Sequence, residues 1–304
     1  MSPKRVVITG GSGLIGSALA DALRRRGDDV VALTRGGGTK SWNPETGDLD
    51  LSLIEGADAV VNLSGASIGP NSILNAPAMR WTSARKKQIL NSRVQSTSVL
   101  ATAIAATDAK PGVFISGSAI GFYGDTGDTA VDESASGGDG FLASVVEDWE
   151  AAALPASEAG VRTVLARTGI VLARDGGALA PLLPLYKAGL GGPIGSGEQW
   201  WSWITLRDEV RAIEFLIDGD LEGPVNLTAP GPVTQRAFAT ELGSALKRPT
   251  VVPAPAFALD LVLGKGLAEA IGYGSVRVLP TRLEEAGFAF TSPSVDIALA
   301  EVFG

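Results

Sequence analysis

Short apolar runs rich in valine and isoleucine alternate along the chain with stretches in which apolar residues recur at helical spacing. Such alternation is typical of a parallel sheet whose strands are joined by right-handed crossover helices. The pattern therefore predicts an α/β fold with a Rossmann-type, doubly wound parallel sheet. The predicted strands are "RVVITG" (5–10), "DVVALTR" (29–35), "ADAVVNLSG" (57–65), "GVFISGSA" (112–119) and "VRTVLARTG" (161–169), with "GPVNLTA" (223–229) as a strand that could rejoin the sheet. The helical patterns are "LIGSALADALRRRG", "SARKKQILNSRVQSTSVLATAIAAT" and "FLASVVEDWEAAALPASEAG".

Glycine and proline become dense after the fifth predicted strand, and this change suggests where the domains divide. We expect a dinucleotide-binding domain over 1–232, within which 170–205 contributes to a substrate pocket. A small C-terminal substrate lobe is expected over 233–304, with "PTVVPAPAFAL" (249–259) in its middle.

The amino-acid composition limits the kinds of catalytic and metal site that the protein can contain. The 304 residues include no histidine and no cysteine, which excludes a Ser/His/Asp triad, a thiolate nucleophile and a His- or Cys-ligated metal. Proton transfer must then use Tyr, Lys, Ser, Asp or Glu. The net charge of −8 argues against nucleic acid or an anionic membrane as partner. No long apolar run and no signal-peptide pattern is present, so we expect a cytoplasmic protein with a small-molecule substrate.

The first strand runs into a glycine-rich turn, "TGGSGLIG", and then into a helical pattern. Glycine is needed where the backbone turns tightly, where it approaches a pyrophosphate and where helix and strand pack closely. The free N–H groups and partial positive charge of the helix N-terminus would bind the phosphates. The turn predicts a dinucleotide site formed by Thr9, Gly10, Gly11, Ser12, Gly13, Leu14, Ile15 and Gly16.

The end of the second strand selects the cofactor. An acidic residue there would bind the ribose 2′-OH of NAD, whereas Arg35 occupies the position in this chain. A guanidinium suits a 2′-phosphate, so NADP(H) is predicted rather than NAD(H), although an arginine solvated at a strand end would be common. Position after a central strand also places four further residues at the cofactor, namely Asn62, Leu63, Ser64 and Gly65.

Together with "NLSGA" (62–66) and "SGSAIGFYG" (116–124), this turn resembles the motifs of the extended short-chain dehydrogenases/reductases. The chain is more narrowly similar to atypical epimerase-family proteins, sometimes labelled cell-division inhibitors or nucleoside-diphosphate-sugar epimerases. The stretches on which this similarity rests are "RWTSARKKQILNSRVQST" (80–97), "DWEAAA", "RTGIVL", "GLGGPIGSGEQWWSWI" (189–204) and "VLPTRLEEAGFAF" (278–290). The resemblance implies a Rossmann domain that binds NADP, a C-terminal substrate lobe, and a homodimer formed by the helices at 83–107 and 138–159.

The chain departs from that superfamily at its catalytic pair. The usual Tyr-x-x-x-Lys exchanges a proton with the substrate, but the corresponding positions hold Phe141 and Val145, and residues 125–160 contain neither tyrosine nor lysine. Ser118 and Tyr123 are the remaining catalytic candidates. Ser118 would polarise a substrate oxygen or merely cap its strand, and Tyr123 would act as a general acid or pack at the nicotinamide.

Candidate substrate contacts are less specific. Arg93 stands where the superfamily has an asparagine, and it would suit an anionic substrate unless it lies on a helix surface. Gln199, Trp201 and Trp203 would suit a sugar or another cyclic ligand, although tryptophan is more often found in a core.

Several charged residues have simpler interpretations. We interpret Arg85, Lys86 and Lys87 as a solvated helix face, with a phosphate contact as the alternative. Asp208 is expected to cap the helix that it begins. Asp132 and Glu133 are assigned to a surface loop, and Glu150 to the helix on which it lies.

The sequence thus predicts an NADP(H)-binding oxidoreductase or epimerase-like enzyme with a non-standard active site. Its substrate would be small and polar, either sugar-like or anionic. Two alternatives remain open: a catalytically inactive NADP(H)-binding regulatory or scaffold protein, favoured by Phe141 and Val145, and an epimerase that retains a tightly held cofactor.

Overall fold

A computed structural model describes residues 2–36, 38, 40–70, 73–250, 260–261 and 264–304. Positions 251–259 of the proline-rich "PTVVPAPAFAL" stretch lie outside the described residues. The strands are β1 (Arg5–Thr9), β2 (Asp29–Leu33), β3 (Trp42–Asn43), β4 (Asp48–Leu49), β5 (Ala59–Asn62), β6 (Val113–Ala119), β7 (Ala130–Val131), β8 (Arg162–Thr168), β9 (Ile170–Ala173), β10 (Gly176–Gly177), β11 (Trp200–Trp201), β12 (Trp203–Thr205), β13 (Gly223–Leu227), β14 (Val233–Thr234) and β15 (Arg277–Val278). The α-helices are α1 (Leu14–Arg26), α2 (Ser83–Ala106), α3 (Phe141–Ala151), α4 (Leu154–Glu158), α5 (Leu183–Lys187), α6 (Leu206–Asp218), α7 (Gln235–Leu246), α8 (Lys265–Ala268), α9 (Thr281–Glu285) and α10 (Val295–Phe303).

A six-stranded sheet with the order β13-β8-β6-β5-β1-β2 forms the centre of the fold. All of its neighbouring strands run parallel. Its six strands correspond to the six runs identified from the apolar pattern, so the α/β, Rossmann-type prediction is confirmed. Because the strands are parallel, their carboxyl ends lie together at one edge, where open α/β sheets bind their ligands.

Helices cover both faces of this sheet, as the alternation of side chains along β1 requires. Val6 and Ile8 point to the face where α1 and α6 pack, and Val7 points to the opposite face with α2 and α4. Burial of these two apolar faces is the main stabilising contribution of the fold. The helix α3 packs on the α2 side, and this placement determines which residues can reach the carboxyl edge.

A third apolar core joins segments that are far apart in sequence. It combines residues between 172 and 203 with residues of α7 and α10. The antiparallel pair β11–β14 and the parallel pair β7–β15 connect the C-terminal part to earlier segments. The glycine- and proline-rich stretch after β8 thus shares its core with the C-terminal part of the chain.

The N-terminus of α6 differs from expectation. Thr205 is the N-cap, and its hydroxyl accepts a hydrogen bond from the backbone N–H of Asp208. The Asp208 carboxylate accepts instead from the backbone N–H groups of Thr291 and Ser292, with a salt bridge to Arg211. The expectation that Asp208 caps this helix was therefore wrong, because its side chain anchors a distant loop.

Candidate active site

The glycine turn between β1 and α1 is closed by two glycines that accept no side chain. Gly10 has a φ of +73°, and a Cβ there would lie 2.5 Å from the carbonyl oxygen of Leu63. A Cβ at Gly16 would lie 2.3 Å from the carbonyl oxygen of Gly10. At Gly11 the nearest atom would be the Cβ of Ala32 at an ordinary 3.4 Å. Of the two ways to align the glycine motif, the alignment on Gly10, Gly13 and Gly16 is therefore the one in which the packing requires glycine.

The residues at this turn fit a dinucleotide. Gly13 is the N-cap of α1, and no side chain bonds to the first turn, so its amide groups stay free for an anion. No acidic residue occupies that turn. Arg35 is exposed just beyond β2, next to the same edge, and forms no ion pair among the described residues. The positive helix terminus and the free guanidinium suit a pyrophosphate and a 2′-phosphate.

A buried polar row braces the loop after β5. Thr9 donates to Asn62 across the sheet (2.7 Å), and Asn62 donates to Thr97 of α2 (2.8 Å). The Asn62 Oδ1 also accepts from the backbone N–H of Ser64 (3.1 Å), and the Trp149 indole donates to Thr97 (2.9 Å). Thr9 and Asn62 are fully buried, so these contacts position the loop. Their direct contact with a cofactor stays a prediction, as it does for Leu63, Ser64 and Gly65.

A second polar row crosses three neighbouring strands near their carboxyl ends. Ser118 of β6, Arg167 of β8 and Asn226 of β13 are paired in register and so share one face. Glu150 of α3 lies over this row. It receives two charge-assisted hydrogen bonds of 2.8 Å from Arg167 and one of 2.6 Å from the Ser118 hydroxyl. Arg167 is only 4% exposed, so this bidentate pair is a buried ion pair.

Tyr123 belongs to the same network. Its hydroxyl donates to Asn226 Oδ1 (2.7 Å) and accepts from Arg167 Nη1 (3.0 Å). Burial raises the pKa of the Tyr123 phenol, against the opposing effect of Arg167. In this arrangement the Tyr123 phenol donates its proton in a hydrogen bond to Asn226, and the Ser118 hydroxyl donates its proton to Glu150. The catalytic roles of Ser118 and Tyr123 stay predictions.

Sequence reasoning missed most of this network. Glu150 was assigned only to its helix, with no role in the site, and Arg167 was not singled out, yet they form the central ion pair. Glu133, expected on a surface loop, is buried and accepts a hydrogen bond from the backbone N–H of Asn226 (2.9 Å), so that expectation was wrong. One signal was available, because Arg167 is a charged residue that directly follows the apolar run Val164–Leu165–Ala166 of its strand.

The positions of the absent Tyr-x-x-x-Lys pair lie on α3. Val145 is buried, and Phe141 forms an edge contact with Trp81 at a centroid distance of 5.0 Å. The Lys86 ammonium lies 4.8 Å from the centroid of the Phe141 ring. The Lys86 ammonium thus lies near the position expected for the tyrosine, but Phe141 has no hydroxyl whose pKa this charge could lower.

Arg93 points inward from α2 beside the loop after β5. Its guanidinium donates to the carbonyl oxygens of Ala66 (3.0 Å) and Ile89 (3.1 Å), and its Cζ lies 5.2 Å from the centroid of the Trp149 ring. The helix-surface alternative for Arg93 is therefore wrong. Its contact with substrate stays a prediction.

The predicted substrate residues of the segment 199–203 lie elsewhere. Trp203 is fully buried in the third core and donates to the carbonyl oxygen of Gly231. Trp201 packs against Phe238, and the Gln199 amide donates to the carbonyl oxygens of Ile194 and Gly272. None of the hydrogen bonds or ring contacts described for these three side chains involves Ser118 or Arg93. Their contact with a substrate stays a prediction.

Glu209 of α6 is an additional buried acid. Its Oε1 accepts from the Thr168 hydroxyl (2.8 Å), whereas its Oε2 and the hydroxyl of Thr228 have no hydrogen-bond partner among the described residues. Burial raises the pKa of Glu209 to about 8. Near neutral pH the side chain is therefore mainly an uncharged carboxylic acid.

This shift predicts a pH-dependent stability that the Glu209→Gln variant lacks. Because the folded pKa is raised, the folded protein binds the proton more tightly than the unfolded chain does. The resulting stability is complete below about pH 4.5 and is lost as the pH rises to about 8. Relative to the variant, the wild type should lose on the order of a few kcal/mol over this window. Urea unfolding of both proteins across the range measures the difference, and parallel profiles would contradict the burial argument.

No helix in the described part of the chain has the length and apolar character needed to cross a membrane.

Comparison with known proteins agrees with the fold. The family model described as "NAD dependent epimerase/dehydratase family" matches residues 6–227, and a domain of unknown function, DUF1731, matches residues 254–302. An epimerase family protein of Mycobacterium leprae is 44% identical over 300 residues, covering 97% of this chain and 94% of the relative.

Two solved structures illustrate the range of similarity. The human epimerase family protein SDR39U1 (isoform 2), crystallised with NADPH, is 32% identical with a TM-score of 0.89, and the match covers 98% of each chain. MoeE5, in complex with UDP-glucose and NAD, is 19% identical with a TM-score of 0.73 over 98% of this chain and 97% of its own, and it supports the fold alone. This chain belongs to the NAD dependent epimerase/dehydratase family.

Proposed function

We propose that the protein is an NADP(H)-dependent oxidoreductase or epimerase-like enzyme that acts on a small polar substrate. The observation that carries the proposal is the pairing of an uncapped α1 N-terminus with the exposed Arg35 at one sheet edge. The NADPH bound by the human relative supports the choice of cofactor. Residues 9–16 and 62–65 are proposed to form the cofactor site, because the glycine turn and the loop after β5 meet where Gly10 lies against Leu63.

The residues that replace Tyr-x-x-x-Lys are proposed to be Ser118 and Glu150. NADP(H), when bound, supplies or accepts the hydride. Because the Ser118 hydroxyl donates to Glu150, its oxygen can act toward a substrate only as an acceptor. A proton accepted at Ser118 Oγ from a substrate hydroxyl would be matched by transfer of the serine proton to Glu150 Oε1. Arg167 holds the Glu150 carboxylate in place for this exchange.

A catalytically inactive NADP(H)-binding regulator is the second candidate. The observation that favours it is the internal use of both candidate catalytic protons, since Ser118 donates to Glu150 and Tyr123 donates to Asn226. Turnover of NADPH by purified protein with a panel of carbonyl compounds separates the two. An absence of turnover with intact NADPH binding would favour the regulator.

Replacing Arg35 by alanine tests the cofactor assignment. We expect the Kd for NADPH to rise about tenfold or more, because a charge-assisted contact to the 2′-phosphate is lost, while the Kd for NADH changes less than about twofold. Fluorescence titration with each cofactor measures both constants. Arg25→Ala is the matched control, since it removes an exposed arginine from the far end of α1. An equal loss for both cofactors in Arg35→Ala would refute the assignment.

The proposal also includes a cytoplasmic location and a homodimer. The lack of cysteine fits a reducing compartment. The dimer would form through α2 and α3, which are adjacent in the fold and form a shared groove that includes Leu90, Val94 and Ala152.

A further inference from the structure

Two arginines of α2 hold consecutive carbonyl groups of the loop 63–68, which follows β5. Arg93 donates to the carbonyl oxygen of Ala66 (3.0 Å), and Arg85 donates to that of Ser67. The Nε of Arg85 is buried and has no hydrogen-bond partner in the part of the chain that the structure describes. The two side chains thus bring two positive charges to one short loop and leave a buried donor unused.

These charges are not neutralised within the described part of the protein. No carboxylate forms an ion pair there with Arg85, Arg93 or the nearby Lys86. Arg93 is only 8% exposed, and its pKa is lowered to about 10 by burial and by the charge of Arg85. Burying a charge beside a like charge costs free energy unless an anion or another polar group compensates. The backbone carbonyl groups compensate only in part, because they carry no net charge.

The position of the pair relates it to the candidate active site. A Cβ placed on Gly65 would lie 3.3 Å from Arg93 Cζ, so the guanidinium lies directly against the loop assigned to the cofactor. Arg93 also stacks on Trp149, which neighbours Glu150 on α3. Lys86, next to Arg85 on α2, lies over Phe141, which occupies the expected tyrosine position. The cations therefore lie beside the loop assigned to the cofactor and beside α3, the helix that carries Glu150.

We infer that the substrate is an oxyanion, and that its carboxylate or phosphate group binds between Arg85 and Arg93 at the loop 63–68. This inference rests on the proposed function and narrows its substrate class. Planar guanidinium groups suit both oxyanions, because each presents parallel N–H donors to paired oxygens. The negative ligand would also offset the unfavourable proximity of the Arg85 charge to the buried charge of Arg93.

Calorimetric titration with inorganic phosphate and with malonate tests the inference. Each probe is titrated into the protein alone and into protein saturated with NADPH, in chloride buffer. The variants are Arg85→Gln and Arg93→Gln. Lys87→Gln is the matched control, because it removes the same charge from an exposed position on the same helix.

The expected result is binding of at least one probe to the NADPH-saturated wild type, weakened about tenfold or more in both arginine variants and less than about twofold in Lys87→Gln. Arg85 is not fully buried, so Arg85→Gln alone decides the matter where Arg93→Gln does not fold.

Three outcomes would overturn the inference. These are no binding of either probe, binding that Arg85→Gln leaves unchanged, and binding that NADPH abolishes, which would assign the arginines to the cofactor phosphates. Failure of the proposed function is recorded separately, as absence of NADPH binding to the wild type.

Discussion

Replacing Gly16 by alanine should nearly abolish NADP(H) binding. The new Cβ would lie 2.3 Å from the carbonyl oxygen of Gly10, a backbone atom that cannot move without opening the turn. We expect the displaced turn to lose two N–H contacts to the cofactor phosphates, and at about 1.5–3 kcal/mol each this corresponds to a Kd increase of about a hundredfold or more. Overpacking should also lower the free energy of unfolding by about 1–3 kcal/mol. Fluorescence titration with NADPH and urea unfolding measure the two effects.

Gly27→Ala separates backbone strain from damage to the turn. Gly27 ends α1 with a φ of +96°, but no atom lies within 4 Å of a Cβ placed there. This variant should lose about 1–2 kcal/mol of stability because of its left-handed conformation, and its NADPH affinity should be unchanged. If Gly16→Ala bound NADPH as well as Gly27→Ala does, the turn would not be the phosphate site.

Replacing Glu150 by alanine should be the most destabilising of the substitutions considered. Arg167, 4% exposed, would lose its carboxylate partner while it remains in contact with Tyr123. Breaking a buried pair in this way costs about 3–5 kcal/mol. Urea unfolding at neutral pH measures the loss, and near-ultraviolet circular dichroism shows whether the native fold persists.

Two further variants define what a Glu150→Ala result means. Glu158→Ala removes an exposed glutamate from α4, and its free energy of unfolding should change by no more than about 0.5 kcal/mol. The double variant Glu150→Leu with Arg167→Met should recover much of the loss, because apolar replacement of a buried pair is often neutral. A loss below about 1 kcal/mol in Glu150→Ala would show that the pair does not compensate for burial of Arg167.

The strands of the central sheet and the glycine turn were predictable because their signals are local. Each strand is a short apolar run, and burial on both faces requires such a run wherever parallel strands are covered by helices. The steric requirement at Gly10 and Gly16 also follows from a few consecutive residues. The motif alone did not show whether Gly10 or Gly11 is the glycine that the turn requires, since only the packing against Leu63 distinguishes the two.

The roles of the tryptophans and of Asp208 could not be predicted from local pattern. Trp201 and Trp203 lie in a glycine-rich stretch that reads as a loop, and they become core residues only because α7 and α10 pack on them. Asp208 begins a helix as a capping residue would, yet its carboxylate binds the backbone of residues 291 and 292. Both outcomes depend on segments that lie far along the chain.

The sequence by itself determined the parallel sheet, the dinucleotide turn and the loss of the Tyr-x-x-x-Lys pair, because each of these depends on residues that are close together in the chain. Only the tertiary structure decided which polar groups meet near the carboxyl ends of β6, β8 and β13. The contacts among Ser118, Glu150, Arg167 and Asn226 form when α3 docks over three strands that register pairing has aligned. The physical reason is that hydrogen bonds and charge pairs depend on distance in space, and residues separated by up to about a hundred positions meet only after the sheet has assembled.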